Sequence, residues 1–173
     1  ELAEPPLLDA RAGGNRYVWG LTLEDADLVD DAVLWGWPGG PMVPPGSYQA
    51  RLTVGDWSDT VSFEVVQDPR TGVSLEAMAA QFELARTIWE EISLSHDAIR
   101  RIRDLRGQVE EVAERVDSEA VSEAAESIAG ELTSIEERIH QTKAESSHYI
   151  LNFPSKVDKQ LVYLRTTVQT AAR

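Results

Sequence analysis

At 173 residues, with 42% hydrophobic content, the chain can build one ordinary core or two small ones. Its 16 basic and 30 acidic residues leave a formal charge of -14, which repels phosphate backbones and anionic membranes and so argues against nucleic acid and anionic lipid as partners. There is no cysteine, hence no disulfide, thiolate metal site or cysteine nucleophile, and no apolar run approaches the ~20 residues of a membrane-inserted helix.

The chain opens at Glu1 in mid-pattern, with Glu4-Pro5-Pro6, which suggests a segment cut from a longer precursor. Residues 1–68 hold most of the prolines and glycines and four of the five tryptophans, whereas residues 74–173 are rich in Ala, Glu, Leu, Ile and Arg. Asp68-Pro69-Arg70-Thr71-Gly72 marks the change, so the expected organisation is a β-sandwich-like domain over 1–68, a linker over 69–73 and a helical domain over 74–173.

In the first part, 15–23 and 47–54 alternate large apolar with small or polar residues and read as strands. Gly55-Asp56 turns the second of these into a hairpin with 57–66, and 32–36 adds a short strand. Four strands are fewer than the roughly seven of an immunoglobulin-type sandwich, so a partial one is expected, with strands missing or supplied from elsewhere. From Leu75 the period becomes helical. Met78, Phe82, Ala85, Trp89, Ile92, His96 and Ile99, continued by Ile102, Leu105, Val109, Val112 and Val116, predict one helix over 75–115.

Asp117 or Ser118 can cap a second helix with the stripe Val121, Ala125, Ile128, Leu132, Ile135, Ile139 and Thr142. After Asn152-Phe153-Pro154 a third stripe follows in Val157, Leu161, Leu164, Val168 and Ala171. Short connections predict an antiparallel bundle of about three helices, giving an α+β chain in two parts: a partial Ig/fibronectin-like β-sandwich, then the bundle.

Several phrases together resemble the C-terminal region of bacterial proteins with sortilin-like, BNR-repeat β-propellers, often labelled glycosyl hydrolases. They are Asn15-Arg16-Tyr17-Val18-Trp19, Leu34-Trp35-Gly36, the run from Pro44 to Val54, Asp68-Pro69-Arg70, Gln81-Phe82-Glu83-Leu84-Ala85, the run from Ile99 to Arg106, and the run from Leu151 to Val157. The resemblance spans nearly the whole chain. It implies an Ig-like module and a helical region following a propeller, in a protein that is secreted or held in the cell envelope or periplasm. The propeller would hold any active site, and its Ser-x-Asp-x-Gly-x-x-Trp boxes are absent from this chain, so no catalytic role transfers to these residues.

The acidic run Glu24-Asp25-Ala26-Asp27-Leu28-Val29-Asp30-Asp31 offers five carboxylates to a hard cation, but it lacks the register of a calcium loop and reads better as a solvated loop. Trp35 and Trp37, two apart, could stack on sugar rings if their strand continues, although indoles of this kind more often belong to a core. Glu137-x-x-His140 and Glu145-x-x-His148 match a di-metal spacing, yet they sit on one expected helix where facing helices are needed. His96, on the apolar stripe, reads as a hydrogen-bonded seam residue rather than a ligand or base.

The expected function is therefore a non-catalytic accessory or interaction module C-terminal to a β-propeller, with no cofactor and no catalytic or metal residue. The alternative is a carbohydrate-binding accessory domain of a glycosidase. Partners expected are the parent propeller and a second copy, because open sheet edges pair and a helix of ~60 Å outreaches its third neighbour.

Overall fold

The computed structural model describes residues 7, 8, 10–34, 36, 38–144 and 152–170. Among these residues the fold is mixed α+β, with a two-stranded antiparallel sheet, β1 (Gly46–Val54) and β2 (Trp57–Val65), followed by three helices, α1 (Leu75–Arg115), α2 (Glu119–Ile139) and α3 (Val157–Thr170).

α1 begins where Ser74 Oγ accepts a hydrogen bond from the Ala77 amide, satisfying one of the donors that a helix start leaves free. Its 41 residues extend ~60 Å at ~1.5 Å per residue. α2 returns along the second half of α1 and α3 packs on the first half, while α2 and α3 scarcely meet. The joint between sheet and helices is an Asp68-centred turn: Asp68 accepts from the Arg70 amide and guanidinium, and its carbonyl accepts from the Thr71 amide.

The hairpin pairs Val54 with Trp57 across Gly55-Asp56 and runs in unbroken register to Gly46 and Val65. Gly55 has φ 57, the left-handed conformation that glycine adopts without Cβ strain and that a two-residue hairpin turn requires. Neither strand packs on a helix, so the hairpin stands out as an arm.

Of the four strands expected, only these two form among the described residues, and the sandwich is not closed. Segment 15–23 fails as a strand because Leu21 takes a left-handed φ of 57, which breaks the pleat, and only an isolated bridge joins Thr22 to Met42. Segment 32–34 turns instead, with the Ala32 amide donating to the Val29 carbonyl and Leu34 packing against the helical core.

The end of the first segment and all of the second belong to one excursion over 21–43 whose arms are tied by Val43–Leu21, Leu23–Pro41 and Ala26–Pro38 backbone bonds. Gly40 sits where the arms cross, and a Cβ there would strike the Leu23 and Glu24 carbonyl oxygens. The tip lies on the helices. Ala26 joins Ile88, Ile92 and Val162 in the core, with Leu28, Leu34, Trp89, Leu161 and Val168 around it. Residues 26–34 thus pack with the helical part, although their composition matches the first.

Three helical expectations need correction. On α3 the buried residues are Asp158, Lys159, Val162 and Arg165, whereas Val157 and Leu164 of the expected stripe are half-exposed. On α2 Ala125 of the expected stripe is buried, but Glu136 is 2% exposed and Ile135 is 45% exposed, so the buried face is turned from the stripe towards Glu136. α2 ends at Ile139, which leaves Thr142 outside the helix; residues 145–151, with the second Glu-x-x-His, lie outside the described residues.

Candidate functional site: a buried ionic hub and an exposed hairpin face

Where α1, α2, α3 and the acidic loop converge, the interior is polar. His96 on α1 is fully buried, and its Nδ1 accepts the Val29 amide at 3.2 Å. That bond fixes the neutral imidazole as the Nε2–H tautomer. Nε2 has no hydrogen-bond partner among the described residues. Burial holds this imidazole below the ordinary histidine range. Asp158 and Asp27 oppose the shift, while His140 and Arg100 add to it.

The His140 ring lies 6.1 Å from that of His96, edge to face. His140 caps the C-terminal end of α2, its amide donating to the Glu136 carbonyl, and its Nδ1 meets Asp158 Oδ2 at 2.6 Å. Asp158, in the first turn of α3, also accepts the Lys159 amide at 2.7 Å.

Beside this pair runs a chain of ion pairs. Arg103 grips both Asp31 oxygens at 2.7 and 3.0 Å and donates to Glu136 at 2.7 Å, and Arg106 closes on the other Glu136 oxygen at 2.8 Å. For Glu136 burial works to raise the carboxyl, but the two arginines outweigh it and hold the group below the ordinary glutamate range. The Arg103 hydrogen bonds likewise lower Asp31. Arg100 reaches the Leu28 carbonyl, Asp27 and Asp97.

Asp27 and Asp31 of the acidic run are therefore occupied by arginines. Among the described residues no group of three or more His, Asp or Glu is placed to hold a metal ion. A cleft of about 320 Å³ opens beside the hub, lined by Asp30, Asp31, Val33, His140, Gln141 and Thr142. An acid–imidazole pair activates a nucleophile when a hydroxyl or thiol bonds the far ring nitrogen. No such bond occurs at His140 among the described residues, and the pair ties helix ends together.

The second feature is the hairpin. Partners across an antiparallel pair share a face, which here separates the residues cleanly. Tyr48/Phe63, Ala50/Val61, Leu52/Asp59 and Val54/Trp57 form one face, and Ser47/Glu64, Gln49/Ser62, Arg51/Thr60 and Thr53/Ser58 the other. Trp19 covers the base of the apolar face, its ring 5.8 Å from Tyr48 and 6.1 Å from Phe63. Towards the tip Leu52, Val54, Trp57 and Val61 are all more than half exposed.

Trp35 and Trp37 lie outside the described residues. His96 is on the seam, as its spacing predicts. The partners of the hub are not legible in the sequence: the spacing of His140 points only to a metal ligand, and Asp158 carries no signal except its place in the first turn of a helix. No family model matches the chain, and neither a curated protein nor a solved structure shows significant similarity to it.

Proposed function

We propose that this chain is a non-catalytic interaction module whose hairpin docks its apolar face on a neighbouring domain. In keeping with the resemblance of its sequence phrases, that neighbour is the β-propeller that would precede it in a secreted or cell-envelope bacterial protein. The observation that carries the reading is the one-sided hairpin. A two-stranded sheet is marginal by itself, and monomers seldom leave a contiguous apolar patch in water, so Leu52, Val54, Trp57 and Val61 are suited to being covered.

Strands added by the neighbour along the open edges of β1 or β2 would complete an Ig/fibronectin-like sheet. Any chemistry then belongs to the neighbour, and the ionic hub serves to hold the tip of the 21–43 excursion against the helices. The test is calorimetric titration of this chain into the separately produced preceding domain. The wild type should bind, and Val61→Asp, an exposed position, should bind at least tenfold more weakly with an unchanged circular-dichroism spectrum. Equal binding by the variant overturns the reading. Retardation of the chain by immobilised polysaccharide would favour the carbohydrate-binding alternative.

A further inference from the structure

The geometry points to a second interaction surface, on the α1–α2 helical hairpin, whose occupant is a second copy of this chain packed as the other half of a four-helix bundle. α3 packs on the first half of α1 through Gln81, Ile88 and Ile92, whereas the second half bonds α2 through Arg103 and Arg106. Leu105 and Val112 on α1, and Ile128 and Ile135 on α2, are half-exposed, and each pair is seven residues apart.

Their direction follows from the contacts between the two helices. α1 meets α2 through Arg103 and Arg106, which bond Glu136, and Arg106 also reaches Thr133. At ~100° per residue Leu105 and Val112 lie ~100–120° behind Arg106, and Ile135 and Ile128 lie ~80–100° behind Glu136. The helices run antiparallel, so equal offsets in the same rotational sense bring both stripes to one side of the pair. The result is a two-helix layer with a single apolar face, which a two-fold axis completes with an identical face.

Size fits this occupant. From Ile102 to Val116 the face runs ~20 Å, and two adjacent helices are ~20 Å wide, giving ~400–500 Å² per copy and ~800–1,000 Å² in the pair. That is the low end for a specific contact and suits a weak, reversible dimer. Four of the five arginines of residues 100–116 are taken up within the chain, by Asp27, Asp97, Asp31, Glu136 and Glu111, so the pairing rests on the apolar faces and not on attraction between charges. At ~0.15 M salt the Debye length is ~8 Å, and repulsion between the acidic copies is largely screened. This surface is separate from the β-hairpin face, and the inference does not rest on the docking of that arm.

Sedimentation equilibrium of the whole chain from 10 to several hundred micromolar, at about 0.15 M salt, tests it. The weight-average mass should rise from 19.2 kDa towards twice that value, and Ile128→Glu should raise the dissociation constant at least tenfold, whereas Val61→Asp on the β-hairpin should not. A monomer throughout, or association abolished by Val61→Asp and untouched by Ile128→Glu, overturns the proposal. If Ile128→Glu fails to fold, Ile128→Cys serves instead, because the chain has no other cysteine. Alkylation of that cysteine with iodoacetate, which puts a carboxylate on the face after folding, should weaken association at least tenfold, while the same treatment of Glu137→Cys, on the opposite side of α2, should not. Equal effects at both positions count against the proposed face.

Discussion

His140 Nδ1 lies 2.6 Å from Asp158 Oδ2, and this buried contact fastens the end of α2 to the start of α3 across a connection of 17 residues. α2 and α3 share little other packing, so the bond carries much of their mutual registration. Removing one partner strands the other in a dry site. Asp158→Ala should therefore destabilise the fold by about 2–4 kcal/mol, and His140→Ala by a similar amount. The double variant should cost much less than the sum, as a shared interaction requires. Urea denaturation of the four proteins checks this, and additive losses would show that the contact contributes nothing of its own.

His96 makes stability depend on pH near neutrality. Its folded-state imidazole is held below the ordinary histidine range by burial, so between that lowered value and about 6.5 the unfolded chain binds a proton that the native chain refuses. The contribution is complete above pH 6.5 and is lost progressively as the pH falls below it. Protonation would also remove the acceptor for the Val29 amide. The urea midpoint should fall between pH 7.5 and 5.5, and His96→Gln, which keeps an acceptor and cannot titrate, should show a smaller fall. An equal fall in both proteins would place the proton uptake elsewhere.

How far the fold was legible depended on whether a segment's neighbours lie close in sequence. The α1 boundaries and the β1–β2 hairpin follow from long runs of a single period and from local signals, the Ser74 cap and Gly55-Asp56. Only the flanks of the acidic loop, 15–23 and 32–36, read as strands, yet the path of the 21–43 excursion is set by Ser93, His96 and Arg100, about 70 residues away, and no local pattern encodes those bonds. The faces of α2 and α3 were misread for a related reason. Apolar periodicity assumes that buried means apolar, and here Glu136 and Asp158 are buried because an arginine pair and a histidine meet them.

Gly40 tests the crossing of the excursion's arms. A methyl group at that position would meet the Leu23 and Glu24 carbonyls, which are backbone and cannot swing aside. Gly40→Ala should cost about 1–3 kcal/mol, comparable to overpacking a core, whereas Gly14→Ala, which meets open space, should be nearly neutral. Thermal melts of the two variants compare them directly.

Glu136 and Ile135 give the sharpest test, because apolar patterning and the structure assign them opposite roles. Patterning places Ile135 in the seam and Glu136 in water. In the structure Glu136 is enclosed between Arg103 and Arg106, and Ile135 is half-exposed. Glu136→Lys would set a third cation against two arginines in a dry site, at a cost of several kcal/mol, on the scale of a broken buried ion pair. Glu136→Gln keeps the shape but loses the charge, and should cost less. Ile135→Lys should change folding stability by under about 1 kcal/mol when measured at low micromolar concentration, below the range where the proposed dimer forms. The Glu136 carboxyl sits below its ordinary value when folded, so its contribution is present above about pH 4.5 and is lost as the pH falls through the folded-state value. Wild type should therefore lose part of its advantage over Glu136→Gln on acidification. Chemical denaturation at pH 7 and pH 4 measures both effects, and a larger loss from Ile135→Lys than from Glu136→Lys would return the seam to the apolar stripe.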